Sequence, residues 1–281
     1  QHGVLMGLMA ILNQKKADPT IKINKIPAEI ETLTEVLKKA GYRTFGIADN
    51  ANIDKKEGFD QGFDRLKTYN YQGASKVNET ALAWKEKIRS GGKYFLYLHY
   101  MDPHAPYFKQ KPWYREGKKG KIPISLEAYL SEISYADSYI EKLYEAFNWD
   151  ENTIFIVTSD HGEGLWDHGT MGHGLTLHRE ELQVPLLIRL PEGNDVKTVE
   201  ENVSLIDIMP TIRDLVGLNK SLMDEGQSLE PLIFDEPNDL SNRFLFSHLV
   251  KKQKEKRLEI SSVIYKKWHL ITDTDGKNEL Y

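Results

Sequence analysis

The feature of this chain that most restricts its fold is a repeated switch between two hydrophobic periods. Ile30, Leu33, Leu37 and Ala40 recur at helical spacing and stop at Gly41, after which Tyr42 to Ala48 is an apolar run of strand length. Asn78 to Arg89 reads as a second helix ended by Gly91-Gly92, and Tyr94 to Tyr100 (YFLYLHY) as an aromatic-rich strand. A long helix from Leu126 to about Phe147 presents Ile133, Ala136, Ile140 and Leu143 on one face, and the β-branched run Thr153 to Thr158 (TIFIVT) follows it. Pro185 to Leu190 adds a strand, and Asp207 to Val216 a helix. This order predicts an α/β fold with a mostly parallel central sheet flanked by helices. Ligands in such a sheet gather at the carboxyl ends of the strands.

After Leu218 the pattern becomes polar and Pro-punctuated. Phe244 to Val250, Leu258 to Tyr265 and Trp268 to Thr272 then read as hairpin strands, so residues 219–281 are expected to form a linker and a small antiparallel subdomain behind an α/β domain at 1–218. The basic run Lys251 to Arg257 reads as a solvated hairpin loop. With 37 Lys and Arg against 42 Asp and Glu, a net charge of -5 leaves no broad basic surface for nucleic acid. The chain has no Cys, which excludes disulfides and thiolate metal ligands and leaves the compartment open. The longest uncharged apolar stretch, Gly3 to Leu12, falls far short of the roughly 20 residues of a membrane span. The chain opens in Gln1-His2-Gly3-Val4 without an initiator Met or a signal pattern, and a segment is expected to precede it.

Chemistry concentrates in two segments, each directly after a strand. Thr158-Ser159-Asp160-His161-Gly162-Glu163 follows TIFIVT and continues through Asp167-His168-Gly169 to Gly172-His173-Gly174, placing three His and three acids within fifteen residues. A carboxylate and a neutral imidazole at one strand end can share a divalent cation, and Gly162 permits a sharp exit that turns both side chains into the crevice. The competing reading is a polar loop whose Asp and His cap the next helix. Asp102-Pro103-His104-Ala105-Pro106-Tyr107 follows YFLYLHY, and its prolines hold the backbone around His104, a residue that could equally be part of a turn. His99, inside the strand, reads as packed or hydrogen-bonded. The loop Lys109 to Lys121 gathers positive charge and two aromatics beside His104, either to attract an anion or as a solvated insertion.

Taken in order, FLYLHYMDPHAPY, TIFIVTSDHGEGLWDHG, GHGLTLHREELQVPLLIRLP and VSLIDIMPTIRDLVGL resemble the sulfatase family of the alkaline phosphatase superfamily over nearly the whole chain. His2-Gly3-Val4 resembles the family's segment after the nucleophile helix, and Asn278-Glu279-Leu280-Tyr281 its C-terminal strand. The resemblance implies hydrolysis of sulfate monoesters, on a carbohydrate or a small aryl or alkyl ester, by a formylglycine made from Cys or Ser in a Cys/Ser-x-Pro/Ala-x-Arg motif. That motif is absent from these residues, so the nucleophile and two further acidic metal ligands are expected before residue 1, and the chain alone is expected to be inactive.

By the same resemblance Asp160 and His161 supply half of a divalent metal site. Calcium is the family's ion, with magnesium or manganese open because His161 stands where many relatives carry Asn. His104 matches a substrate-contacting His, and His173 takes the place of an active-site Lys, so one of the two is expected to act as general acid. His168 is expected to face the substrate. The chain departs from the family at Gly46-Ile47-Ala48-Asp49-Asn50-Ala51-Asn52, where many sulfatases have Gly-Lys-Trp-His. Two anion contacts are therefore missing, Asn50 and Asn52 read as loop residues, and phosphate or phosphonate esters re-enter. The alternatives are a phosphodiesterase or phosphoethanolamine-transferase-like enzyme and a non-catalytic sulfatase-like binding protein. No Asp here has a His four positions on, the pair common in two-zinc relatives, which favours one metal.

Overall fold

The computed structural model describes residues 25–116, 124–149, 151–191, 193, 196–221, 223–253 and 256–281. The apolar stretch Gly3–Leu12, the His2-Gly3-Val4 segment and the end of the Lys109–Lys121 loop lie outside these residues. The chain divides into two compact units, Gln1–Glu151 and Asn152–Tyr281.

In the first unit α1 (Leu33–Lys39) opens with a capping box, in which Thr32 accepts from the Glu35 amide and Glu35 accepts from the Thr32 amide. Gly41, at φ +85°, releases the chain into β1 (Arg43–Ala48), buried along nearly its whole length. β1 lies at the centre of a wholly parallel three-stranded sheet, with β2 (Arg65–Thr68) on one side and β3 (Tyr94–His99) on the other. Between them α2 (Ala74–Arg89) buries Ala74, Val77, Ala81, Trp84 and Ile88, a face with the i, i+3, i+4 spacing of an amphipathic helix. Two carboxylates that follow the ends of β1 and β3 hold the start of α2. Asp49, fully buried, accepts from the Gln72 and Gly73 amides at 2.8 and 2.7 Å, and Asp102 accepts from Ala74 at 3.1 Å. α3 (Ile124–Phe147) packs on α2, where the Asn78 side chain donates to the Tyr139 carbonyl and accepts from the Tyr100 hydroxyl. The 109–114 segment is fastened to α3: the Gln110 amide donates to Ser131 Oγ, and Trp113 meets Tyr135 edge-on.

In the second unit β4 (Phe155–Thr158) pairs with β7 (Leu186–Arg189), and this pairing is antiparallel. Two short strands, β5 (Gly164–Leu165) and β6 (Met171–Gly172), form a hairpin, and α4 (Arg179–Leu182) is a single turn before β7. α5 (Ile208–Leu215) and α6 (Glu230–Ile233) follow. An antiparallel meander completes the unit: β8 (Leu245–Gln253), β9 (Lys256–Tyr265), β10 (Trp268–Asp273) and β11 (Asn278–Leu280). Its core joins Leu258, Ile260 and Ile271 to Leu177 from the segment before α4. Of the Lys251–Arg257 run, Lys251 to Gln253 continue β8 and Lys256 and Arg257 open β9, with Lys251 opposite Leu258, and the two residues between, where the expected hairpin loop falls, lie outside the described residues. Asp207, fully buried, is held by Arg243 through two hydrogen bonds and also accepts from the Ser204 and Gln227 amides.

Candidate active site

The second unit carries two clusters of His and acid. The first lies where the chain leaves β4. Thr158 Oγ1 donates to the Pro185 carbonyl at 2.8 Å and Ser159 Oγ to the His161 carbonyl at 2.7 Å, fixing the turn. The Gly162 amide donates to Glu181 O, and a Cβ at Gly162 would stand 2.0 Å from the Glu180 carbonyl, so no other residue fits this turn as it stands. Asp160 and His161 then project from adjacent positions with Oδ1 and Nε2 3.7 Å apart. His161 Nδ1 lies 2.8 Å from the Gly162 carbonyl, so this nitrogen carries the proton and the lone pair of the neutral ring is on Nε2, the atom facing Asp160. The His173 ring stacks on His161 at 3.9 Å, and its Nδ1 reaches Glu163 Oε1 at 3.2 Å. The Glu163 carboxylate holds the His173 imidazole above its ordinary pKa, against the opposing effect of burial.

The donors fit a divalent ion. An anionic oxygen and an imidazole nitrogen with its lone pair exposed, under 4 Å apart, can ligate one cation with a small side-chain adjustment, and the Nδ1–H to carbonyl bond is the outer contact that fixes a ligating imidazole.

The second cluster begins at the tip of the β5–β6 hairpin. His168 Nδ1 lies 2.7 Å from Glu180 Oε1, and its ring is nearly parallel to that of His178 at 4.0 Å. His178 Nε2 is 2.9 Å from Glu279 Oε2 and 3.2 Å from the Tyr281 hydroxyl. Lys277, Tyr281 and His178 together hold the Glu279 carboxyl down at a pKa of about 2. Sequence reasoning did not pick out Glu163, His178, Glu180 or Glu279 for a role. All four lie within the segments that carry the resemblance, but nothing in their spacing shows which His each carboxylate meets.

In the first unit His104 is half-buried in the turn after β3. Its Nδ1 is 3.1 Å from the Tyr71 hydroxyl, Tyr71 meets its ring edge-on, and its amide donates to the Met101 carbonyl. Burial raises the pKa of Asp102, two residues earlier, against the pull of the Ala74 amide. Asn50 and Asn52 are half-buried and bonded to one another, Asn52 N to Asn50 Oδ1. His99 is half-buried at the end of β3, and its carbonyl accepts from the Asp49 amide.

The first unit is a parallel α/β sheet, and the second carries a carboxylate–imidazole pair at a strand end. Comparison with known proteins makes this specific. The sulfatase family model matches residues 5–218, and the chain belongs to the sulfatase family, within the alkaline phosphatase superfamily. It is 31% identical over 121 residues to the Endo-4-O-sulfatase of Bacteroides thetaiotaomicron, covering 41% of this chain and 24% of that protein. It is 30% identical over 138 residues to the N-acetylglucosamine-6-O-sulfatase of the same organism, covering 44% of this chain and 24% of that one. Against these curated relatives the chain spans about a quarter of their length. In structure it resembles the phosphonate monoester hydrolase of Silicibacter pomeroyi, with a TM-score of 0.74 at 17% identity over 92% of this chain and 74% of that one. Enzymes of the family generally use a divalent metal ion and formylglycine. Among the described residues no helix is long and apolar enough to cross a membrane.

Proposed function

We propose that this chain provides the metal-holding and proton-donating parts of a sulfatase that cleaves sulfate monoesters of a carbohydrate. The observation that carries the reading is the pairing of Asp160 Oδ1 with His161 Nε2 across 3.7 Å at the end of β4. These two residues would hold a divalent ion, calcium in the first instance and magnesium or manganese otherwise. When bound, such an ion draws negative charge from the ester oxygens as the S–O bond breaks.

The remaining work falls to the chain's own side chains. Glu163 orients His173 and favours its imidazolium, which suits it to give a proton to the departing alkoxide. His104, held by Tyr71, supplies a hydrogen bond to the ester or acts as the acid in its place. His168, exposed and engaged only through Nδ1 among the described residues, keeps Nε2 for a substrate hydroxyl. The carbohydrate assignment is supported by the N-acetylglucosamine-6-O-sulfatase relative. Residues 1–218 are proposed as the catalytic part and 219–281 as an appended part, which the extent of the family match, 5–218, supports. The family's Cys/Ser-x-Pro/Ala-x-Arg motif is not found in these 281 residues.

A phosphoryl or phosphonyl ester is the second reading, favoured by one observation. Where many sulfatases place Lys-Trp-His, Asp49 is buried and spends both carboxylate oxygens on the start of α2, so that position offers an anion nothing. The deciding experiment assays the full-length protein on an aryl sulfate, a sulfated N-acetylglucosamine, a phosphate monoester and a phosphonate monoester with calcium present. Sulfate turnover is expected to lead, and a higher kcat/KM on either phosphorus ester would overturn the assignment.

A further inference from the structure

The second histidine cluster has the composition of a metal site in its own right. His168, His178 and Glu180 each offer one ligand atom, and the three lie within 4.8 Å of one another, the one such group of three His, Cys, Asp or Glu among the described residues. Tetrahedral zinc, with bonds of about 2.0 to 2.1 Å, places its ligand atoms roughly 3.3 Å apart. The cluster is therefore within about 1.5 Å of closing, and His168, at the tip of a hairpin with 39% of its side chain exposed, has room to move.

An independent observation points the same way. His178 is tied through Nε2 to Glu279 and Tyr281, while its Nδ1 is buried and has no hydrogen-bond partner. A buried polar atom left without a partner costs about 1 to 3 kcal/mol, and chains rarely retain one that nothing fills. A carboxylate gripping one nitrogen of an imidazole whose other nitrogen has no partner is the outer support found around ligating histidines.

We propose that His168, His178 and Glu180 form a second cation site, distinct from Asp160 and His161, for a first-row transition ion of the zinc type. Two imidazoles and one carboxylate are a donor set for zinc or cobalt rather than calcium, which takes six to eight oxygens. His168 binds through the nitrogen it already turns to Glu180, so its Nε2 remains for the substrate. Glu279 is a positioning residue that acts through His178.

Titration calorimetry of the 281-residue chain with Zn2+, in excess Ca2+, tests this without requiring any hydrolysis. One equivalent is expected, accompanied by the visible absorption of a low-symmetry Co2+ complex when Co2+ replaces Zn2+. Glu180→Gln and His168→Asn should each weaken Zn2+ at least 100-fold, Glu279→Gln about 10- to 100-fold, and Asp160→Asn should leave it unchanged. Circular dichroism on each variant separates loss of the site from loss of the fold, and Glu279→Gln, which removes no ligand, provides a second readout. Failure of the wild-type chain to bind Zn2+, loss of Zn2+ only in Asp160→Asn, or full binding by Glu180→Gln would each overturn the proposal. None of these results bears on sulfate hydrolysis.

Discussion

The two histidine clusters of the second unit are built from neighbouring stretches of sequence, yet they are finished differently. At the end of β4, Asp160 is half-exposed, and a backbone carbonyl and the Glu163 carboxylate are among the groups that steady the imidazoles. Around His178, both ring and carboxylates are largely buried, and an outer layer of Glu279, Tyr281 and Lys277 stands behind them. The difference teaches that similar donors can be prepared for different tasks. A half-exposed pair leaves coordination positions open to an ester, whereas a braced and shielded pair favours a tightly held ion.

The largest way to break this comparison is Asp160→Ala in the full-length protein. Hydrolysis is expected to fall by roughly 100- to 1000-fold and calcium content to drop, while Zn2+ binding at the braced cluster stays; retained turnover with retained calcium would remove Asp160 from the machinery. His104→Ala, in the other unit, is expected to lower kcat on the order of 100-fold with both clusters spectroscopically intact. Wild-type kcat would return His104 to the role of a turn residue.

Gly162→Ala should join the two clusters in a common failure. Its Cβ would press on the Glu180 carbonyl, so a stability loss of about 1 to 3 kcal/mol by denaturant titration is expected, with calcium and zinc affinity falling together. A loss confined to one cluster would show that the turn does not couple them. The smallest effect comes from a control outside both. Burial pushes Glu132 of α3 up to about 7 from an ordinary 4.5, so the folded chain holds this proton more tightly than the unfolded one. The resulting stability is complete below pH 4.5 and lost as pH rises through 7. Glu132→Gln should flatten that slope and raise stability at pH 8 by on the order of 2 kcal/mol, with both clusters unchanged. Identical pH curves for the two proteins would refute the shift.

Legibility in the sequence followed the length and purity of each pattern. β1, β3, α2 and α3 carry unbroken apolar runs or faces and appear where the periodicity predicts, within a few residues. β2 escaped because Arg65-Leu66-Lys67-Thr68 is a short sheet-edge strand, with charges on its exposed positions and only half-buried ones between them. The antiparallel direction of β7 was equally hidden, since an apolar run does not state its direction. For the site, local spacing revealed Asp160, His161, His168 and His173 as a group but could not divide them. Backbone hydrogen bonds and the choice of carboxylate partner, Glu163 for one His and Glu180 for another, do that dividing. Glu279, over a hundred residues from His178, leaves no local trace at all.

That last distance sets a timetable. During synthesis the turn after β4 can take shape once the chain has emerged as far as Pro185, since its bonds reach no further than Glu181 and Pro185. The ring of His178, by contrast, waits for the ribosome to add another hundred residues before Glu279 arrives to grip it. Until β11 docks on β10, the imidazole pair is an unclaimed chelator, open to whatever ion the nascent chain meets first.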